Sequence, residues 1–275
     1  MRPVADLRSP ALELEPVPLP GTGRFDLTAR DGSVYRILLS LPPEPVEPAG
    51  APALILVDGH ALFPLAVGAA RLQRARPEVT GVGGGAIIGI GYPDDKPFDA
   101  ERRARDLLPV AGGAERFLKT ILDEILPAVE AFGALDRRRL ALAGHSYGGL
   151  FALHSLFTRP EALAAVIAGS PSIWWQDRAI HADEARFRAG GGTGERLLIT
   201  VGGAEQRAMD GEAPQRAERR LSNRMRDNAA EMAARLGCSF VEFAQENHVS
   251  VIPAMVSRAV AFGLSASPAE GRQAA

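Results

Sequence analysis

The chain predicts an α/β fold whose mostly parallel central sheet carries helices on both faces. Three observations lead there: short apolar runs recur from about residue 50 onward, amphipathic helical patterns separate them, and one run passes through a glycine-flanked turn straight into a helix. In order, strands are expected over Tyr35–Ser40, Ala53–Val57, Ala86–Ile90, Arg139–Ala143, Ala165–Ala168, Arg196–Val201 and Ser239–Phe243. Between the third and fourth, Phe117, Leu118, Ile121, Leu122, Ile125 and Val129 follow the three- and four-residue spacing of a helix. Glu115, Lys119, Asp123 and Glu130 occupy its other face. Leu221, Met225, Ala229, Met232 and Leu236 repeat that pattern in an Arg-rich stretch. Interleaved Glu218, Asp227 and Glu231 make it read as a solvated helix face.

The 275 residues, 46% hydrophobic and 23% charged, suit one domain over 1–275, with about 1–20 and 266–275 peripheral. A chain this long hides roughly 70–75% of its unfolded surface and needs no disulfide or metal staple. The lone Cys238 forms no internal disulfide, enters a strand, and reads as a small buried apolar residue. The 31 basic and 33 acidic residues leave a net charge of −2, which argues against a nucleic-acid partner. The acidic, proline-containing Met1 to Pro20 stretch lacks the apolar region of a secretory signal, and no apolar run reaches membrane-spanning length. A cytoplasmic protein without a membrane partner is expected. The proline-rich Leu41 to Pro48 segment reads as a surface connection. Gly81 to Gly85 precedes a strand, whereas a dinucleotide fingerprint follows one. His181, Asp183 and Glu184 lack zinc spacing and read as surface, so neither a metal nor an organic cofactor is expected.

Arg139 to Leu153 reads as strand, sharp turn and helix, with Gly144-His145-Ser146-Tyr147-Gly148 at the bend. This is G-x-S-x-G in the setting that presents a nucleophilic serine: flanking glycines admit a strained turn, and the following helix directs its N–H groups toward developing negative charge. A serine needs a base and a group that orients the base. His145 is expected to point away from the bend, His154 to pack within the helix, and His181 to begin an irregular stretch. His248, after the last strand and before the last helix, is the candidate base. Glu205, three residues past the end of a strand, is the candidate acid. Asp210 is its rival, Asp177 a more distant one, and a dyad without an acid a further alternative. An acyl-transfer site also needs two backbone donors for an oxyanion. Tyr147 N–H is one candidate, and His60 N–H, after the Ala53–Val57 strand, is the other unless Val57-Asp58-Gly59-His60 is an ordinary Asp-Gly turn. Trp174 and Trp175 follow a strand, and at least one is expected in the pocket.

Several segments together resemble the putative-esterase (esterase D-like) family of the α/β-hydrolase superfamily. They are Leu56-Val57-Asp58-Gly59-His60, Ile90-Gly91-Tyr92-Pro93, Arg102 to Leu107, Gly144 to Gly149, Gly169-Ser170-Pro171-Ser172-Ile173-Trp174-Trp175, Val201 to Glu205, and His248. The resemblance extends to that family's trilactone siderophore esterases, of enterobactin and bacillibactin type. It implies an α/β-hydrolase fold and ester hydrolysis through an acyl-enzyme, with Ser146, His248 and Glu205 catalytic and His60 and Tyr147 forming the oxyanion hole. It further implies Arg103 and Trp174 or Trp175 beside a small-molecule ester substrate, which brings any iron with it. An anionic tris-catecholate substrate calls for several cations, for which Arg102, Arg103 and Arg105 are the candidates. A general carboxylesterase, a thioesterase, an acyltransferase and a non-catalytic binding module are the alternatives.

Overall fold

The computed structural model describes residues 17–42, 48–208 and 211–265. Residues 1–16, most of the proline-rich connection (43–47), the rival acid Asp210 and the tail after Ser265 lie outside the described residues.

Strands β1 (Thr22–Thr28), β2 (Val34–Ser40), β3 (Ala51–Val57), β4 (Ala86–Gly91), β5 (Leu135–His145), β6 (Ala165–Gly169), β7 (Leu197–Gly202) and β8 (Ser239–Phe243) form one sheet in the order β1-β2-β4-β3-β5-β6-β7-β8. Strands β1 and β2 pair antiparallel, β2 pairs antiparallel with β4, and every later pairing is parallel. The seven expected strands are present, displaced at most a few residues at their ends. Strand β1 was not expected: Gly23, Arg24 and Asp26 interrupt its apolar residues, and its register comes from the hairpin with β2.

The helices are α1 (Gly59–Arg74), α2 (Pro77–Thr80), α3 (Ala100–Leu107), α4 (Gly113–Thr120), α5 (Leu126–Glu130), α6 (Tyr147–Thr158), α7 (Trp175–Arg178), α8 (Ile180–Ala189), α9 (Pro214–Ser222), α10 (Met225–Leu236) and α11 (Ile252–Leu264). Alternation along the buried strands splits the core in two. Ala53, Ile55 and Val57 of β3 join a cluster with α4, α6, α8 and α10, whereas Leu54 and Leu56 join one with α1 and α11. Helices therefore cover both faces.

Two expected helices are broken, each for a local reason. The 117–129 pattern continues through a π turn at Ile121–Ile125 into α5, whose second residue, Pro127, has no N–H for the regular ladder. The 221–236 pattern divides at Arg224, which takes a left-handed backbone (φ 46). There the Asn228 side chain donates to the Asn223 carbonyl at 2.9 Å and closes the end of α9. Leu221 consequently sits exposed on α9, apart from the buried Met225, Ala229, Met232 and Leu236 of α10.

The bend from β5 into α6 is tightly packed. Ser146 adopts φ 61 and ψ −115, and a carbon added at Gly144 would lie 2.4 Å from the Gly148 carbonyl carbon. Gly144→Ala is therefore expected to lower stability by at least about 3 kcal/mol. Gly83→Ala, where an added carbon meets open space, is expected to stay within about 0.5 kcal/mol. Urea unfolding of the two variants checks the contrast, and equal midpoints would refute it.

Candidate active site

The parallel strands end on a common edge, and the side chains of interest project from the loops that follow them. Ser146 follows β5, Ser170 and Ser172 follow β6, Glu205 follows β7 and His248 follows β8. His248 Nε2 lies 3.1 Å from Ser146 Oγ, and Nδ1 lies 2.6 Å from Glu205 Oε2. Glu205 is 2% exposed, and its other oxygen accepts the Gly202 N–H at 2.7 Å and the Ser170 hydroxyl. The carboxylate is thus held by three donors, from β7, the β6 loop and the imidazole. His248 faces Glu205 and not Asp177, which lies on α7.

Backbone bonds fasten the bend. Ser146 N–H donates to Gly169 O, and Ser172 N–H donates to Ser146 O. Ser170 reaches its position with φ 40. Ser172 Oγ lies 3.3 Å from Ser146 Oγ; its place in the Ser170-Pro171-Ser172 run was visible in the sequence, but not its direction. His60 and Tyr147 lie in the first turns of α1 and α6, where N–H groups have no partner inside the helix. The loop carrying His60 adjoins the bend, since a carbon added at Gly148 would meet Val57 at 2.8 Å and Asp58 at 3.3 Å. The His60 ring is turned elsewhere, with Nε2 2.9 Å from Tyr92 O, which leaves the backbone as the part of His60 available to this site.

The expected substrate-contacting residues separate. Trp174 lines an open cavity of about 340 Å³ with Ser146, Ser172, Glu205 and His248, whereas Trp175 packs against the core. Arg103 does not line that cavity. Its Nε donates to buried Asp58 at 2.7 Å, Nη2 donates to His145 O at 3.3 Å, and the guanidinium lies over the rings of Phe98 and Tyr147. Burial pushes the Asp58 carboxyl up, and Arg103 pulls against that. Arg102 pairs with Asp94 and Asp99, and Arg105 pairs with Asp106. The cations that line the cavity are Arg216, Arg219 and Arg220, in the stretch read above as a solvated face. Their spacing with Asn223, at i, i+3, i+4 and i+7, marks one helix face, and was the signal available.

Other expectations are corrected. His145 does not point away: it is 3% exposed and its ring centroid lies 4.5 Å from that of His248. Burial first, then the neighbouring His248 and Arg103, hold it well below the usual histidine range. His154 packs within α6 as expected, buried between Glu115 and Asp183 at 3.0 and 2.8 Å. His181 lies on α8 and bonds Glu184, which also takes Arg235, so Glu184 is a buried ion-pair member and not a surface residue. Cys238 is half-buried, with its thiol pushed up to about 12 by burial. Among the described residues no group of three or more His, Cys, Asp or Glu is placed to hold a metal ion. No helix among them is long and apolar enough to cross a membrane.

A serine on a strained strand-to-helix bend, touching an imidazole that touches a buried carboxylate at the carboxyl edge of a parallel sheet, defines the class of α/β hydrolases. Within that class the chain belongs to the "Putative esterase" family, whose model matches residues 29–241, and it is an ester-hydrolysing enzyme. It is 34% identical to the ferri-bacillibactin esterase BesA of Bacillus subtilis, over 90% of each chain. It is 38% identical to the siderophore triacetylfusarinine C esterase of Aspergillus fumigatus, over 88% of this chain and 93% of that one. The solved siderophore hydrolase EstB from Aspergillus nidulans superposes with a TM-score of 0.78 at 33% identity, over 92% of this chain and 98% of that one.

The buried, neutral His145 predicts a pH-dependent stability. Its folded pKa lies below the unfolded value of about 6.5, so its contribution is complete above pH ~6.5. Below that pH the unfolded chain takes up a proton that the fold refuses, and stability falls by up to about 1.4 kcal/mol per pH unit. His145→Gln is expected to flatten this part of the profile, measured by denaturant unfolding between pH ~4.5 and ~7.5. Parallel profiles would contradict the assignment.

Proposed function

We propose that the protein is a serine esterase that opens the ester bonds of a ferric siderophore trilactone through an acyl-enzyme. The observation that carries the chemistry is the continuous hydrogen-bond chain from Glu205 through His248 to Ser146. Ser146 Oγ attacks the ester carbonyl carbon while His248 Nε2 takes the hydroxyl proton. Glu205, fixed by Gly202 and Ser170, keeps the imidazole turned toward the serine and faces the positive charge it gains. The N–H groups of Tyr147 and His60 receive the negative charge on the carbonyl oxygen. Collapse breaks the C–O bond, and His248 returns its proton to the departing alkoxide. Water then repeats the sequence against the acyl-enzyme, losing a proton to His248 and releasing the acid and Ser146.

Ser172 directs the Ser146 hydroxyl, and Trp174 forms a wall of the acyl site. Arg103 acts through its neighbours: paired to Asp58 and lying over Tyr147, it fixes the two segments that supply the oxyanion donors. The substrate reading is supported by the names of the relatives, which are siderophore esterases matched along about nine tenths of this chain. A cytoplasmic setting suits a protein whose single cysteine makes no internal disulfide.

The test is product analysis by mass spectrometry after incubation with ferric and iron-free tris-catecholate trilactone, beside short-chain aryl esters. Linearised trilactone is expected from the parent protein. Ser146→Ala is expected to lower kcat by about 10⁴-fold or more, and Glu205→Gln by about 10² to 10⁴-fold. Full activity of Ser146→Ala would overturn the mechanism, and aryl-ester turnover with intact trilactone would overturn the substrate.

A further inference from the structure

The basic wall of the cavity has an uneven charge balance. Helix α9 turns Arg216, Arg219 and Arg220 toward the cavity that holds Ser146. Arg220 is neutralised by Glu212, at 2.6 Å, and the other lining carboxylate, Glu205, is engaged by His248. Arg216 and Arg219 have no ion pair or side-chain hydrogen bond among the described residues, and both are exposed. In this they differ from Arg102, Arg103 and Arg105, each matched to a carboxylate. Two unpaired guanidiniums three residues apart repel each other and weaken the helix that carries them. The helix buries no side chain that would offset this. Glu218, the acidic residue of α9, does not line the cavity. The arrangement opposes the stability of the free protein and suits an anion seated at the cavity mouth.

Resting on the siderophore reading above, we propose that Arg216 and Arg219 are specificity-determining residues that select the iron-loaded tris-catecholate substrate by its charge. Iron(III) held by three catecholate dianions is a trianion. The same ligand without iron has protonated catechols at neutral pH and is uncharged, as is a ferric complex of three hydroxamates. Shape alone separates these weakly, because the scissile esters are similar; charge at the mouth separates them by both encounter rate and affinity. The fixed cations thereby direct hydrolysis to ligands that already carry metal.

The experiment compares kcat/KM of the parent, Arg216→Ala/Arg219→Ala and Arg216→Lys/Arg219→Lys on the ferric trilactone, the iron-free trilactone and 4-nitrophenyl butyrate. Each is measured from about 0.05 to 0.5 M salt. The parent is expected to prefer the ferric form, with a rate that falls as salt rises. The double alanine variant is expected to lower the ferric to iron-free ratio by about 10 to 100-fold, mainly through KM, and to flatten the salt dependence. The double lysine variant restores most of the ratio, because the charge and not the fork is what it requires. Where the parent cleaves both trilactones, equal losses on the two in the double alanine variant, or a ferric to iron-free ratio equal to the parent's, would overturn charge selection and leave the esterase reading intact. A parent that cleaves the aryl ester and neither trilactone would overturn the substrate reading, and charge selection with it.

Discussion

The rest of the site depends on one backbone constraint, the forced turn at Ser146. A non-glycine residue held at φ 61 is unfavourable on its own, and persists because the surroundings leave the chain no alternative. Gly144 and Gly148 lie within van der Waals distance of each other across the bend, and Gly149 lies close against the Gly169 carbonyl. The Ser146 N–H is tied to that same carbonyl. The strain is met by packing on every side, and its result is a hydroxyl standing clear of the sheet edge with the first turn of α6 behind it.

Parallel pairing then does most of the assembly. The adjacent strands β3, β5, β6, β7 and β8 end on one edge, and each delivers one component: the His60 loop, Ser146, the Ser170–Ser172 segment, Glu205 and His248. Residues that lie 102 positions apart in the chain, Ser146 and His248, meet at hydrogen-bond distance because their strands are held in fixed register through β6 and β7. Beneath them a tier of buried polar groups sets orientations. Arg103 bridges Asp58 and the His145 carbonyl, and the His145 ring lies against that of His248. His145 can fill that place only as a neutral ring, since burial beside two potential cations excludes its proton.

What was legible in the sequence follows from how local its cause is. The β5 bend and the core strands announce themselves through short-range steric rules and apolar runs, and Ser146 and His248 follow from their places relative to those strands, whereas the acid stayed open among Glu205, Asp210, Asp177 and none, because which carboxylate meets His248 depends on how the loops after β7 and β8 pack. Strand β1 was hidden because a hairpin partner, and not its own composition, makes it a strand. The break at Arg224 was hidden because apolar spacing runs on through it, and a side chain beyond the break, Asn228, closes it. Arginines were the hardest to assign. Arg103, expected near the substrate, is held by Asp58 and does not line the cavity, and Arg216 and Arg219, on a face expected to be solvated, are exposed and line it. Arg102 and Arg105 have their carboxylates close by in the chain, but the partner of Arg103 lies 45 positions away, and a pairing of that kind is a property of tertiary structure that no spacing rule within one helix reveals.

Helix α9 buries no residue, so its sequence bears on the folding free energy only through surface charge and helix propensity and not through the core. Substitutions there alter what the cavity meets without loosening the core, the turn at Ser146 or the Glu205–His248 contact. The catalytic groups and the charged rim of the cavity thus stand on separate supports, one rigid and intolerant of change, the other tolerant of substitution. A change of charge at the mouth of the cavity therefore needs only one short surface helix to be rewritten and leaves the catalytic machinery intact.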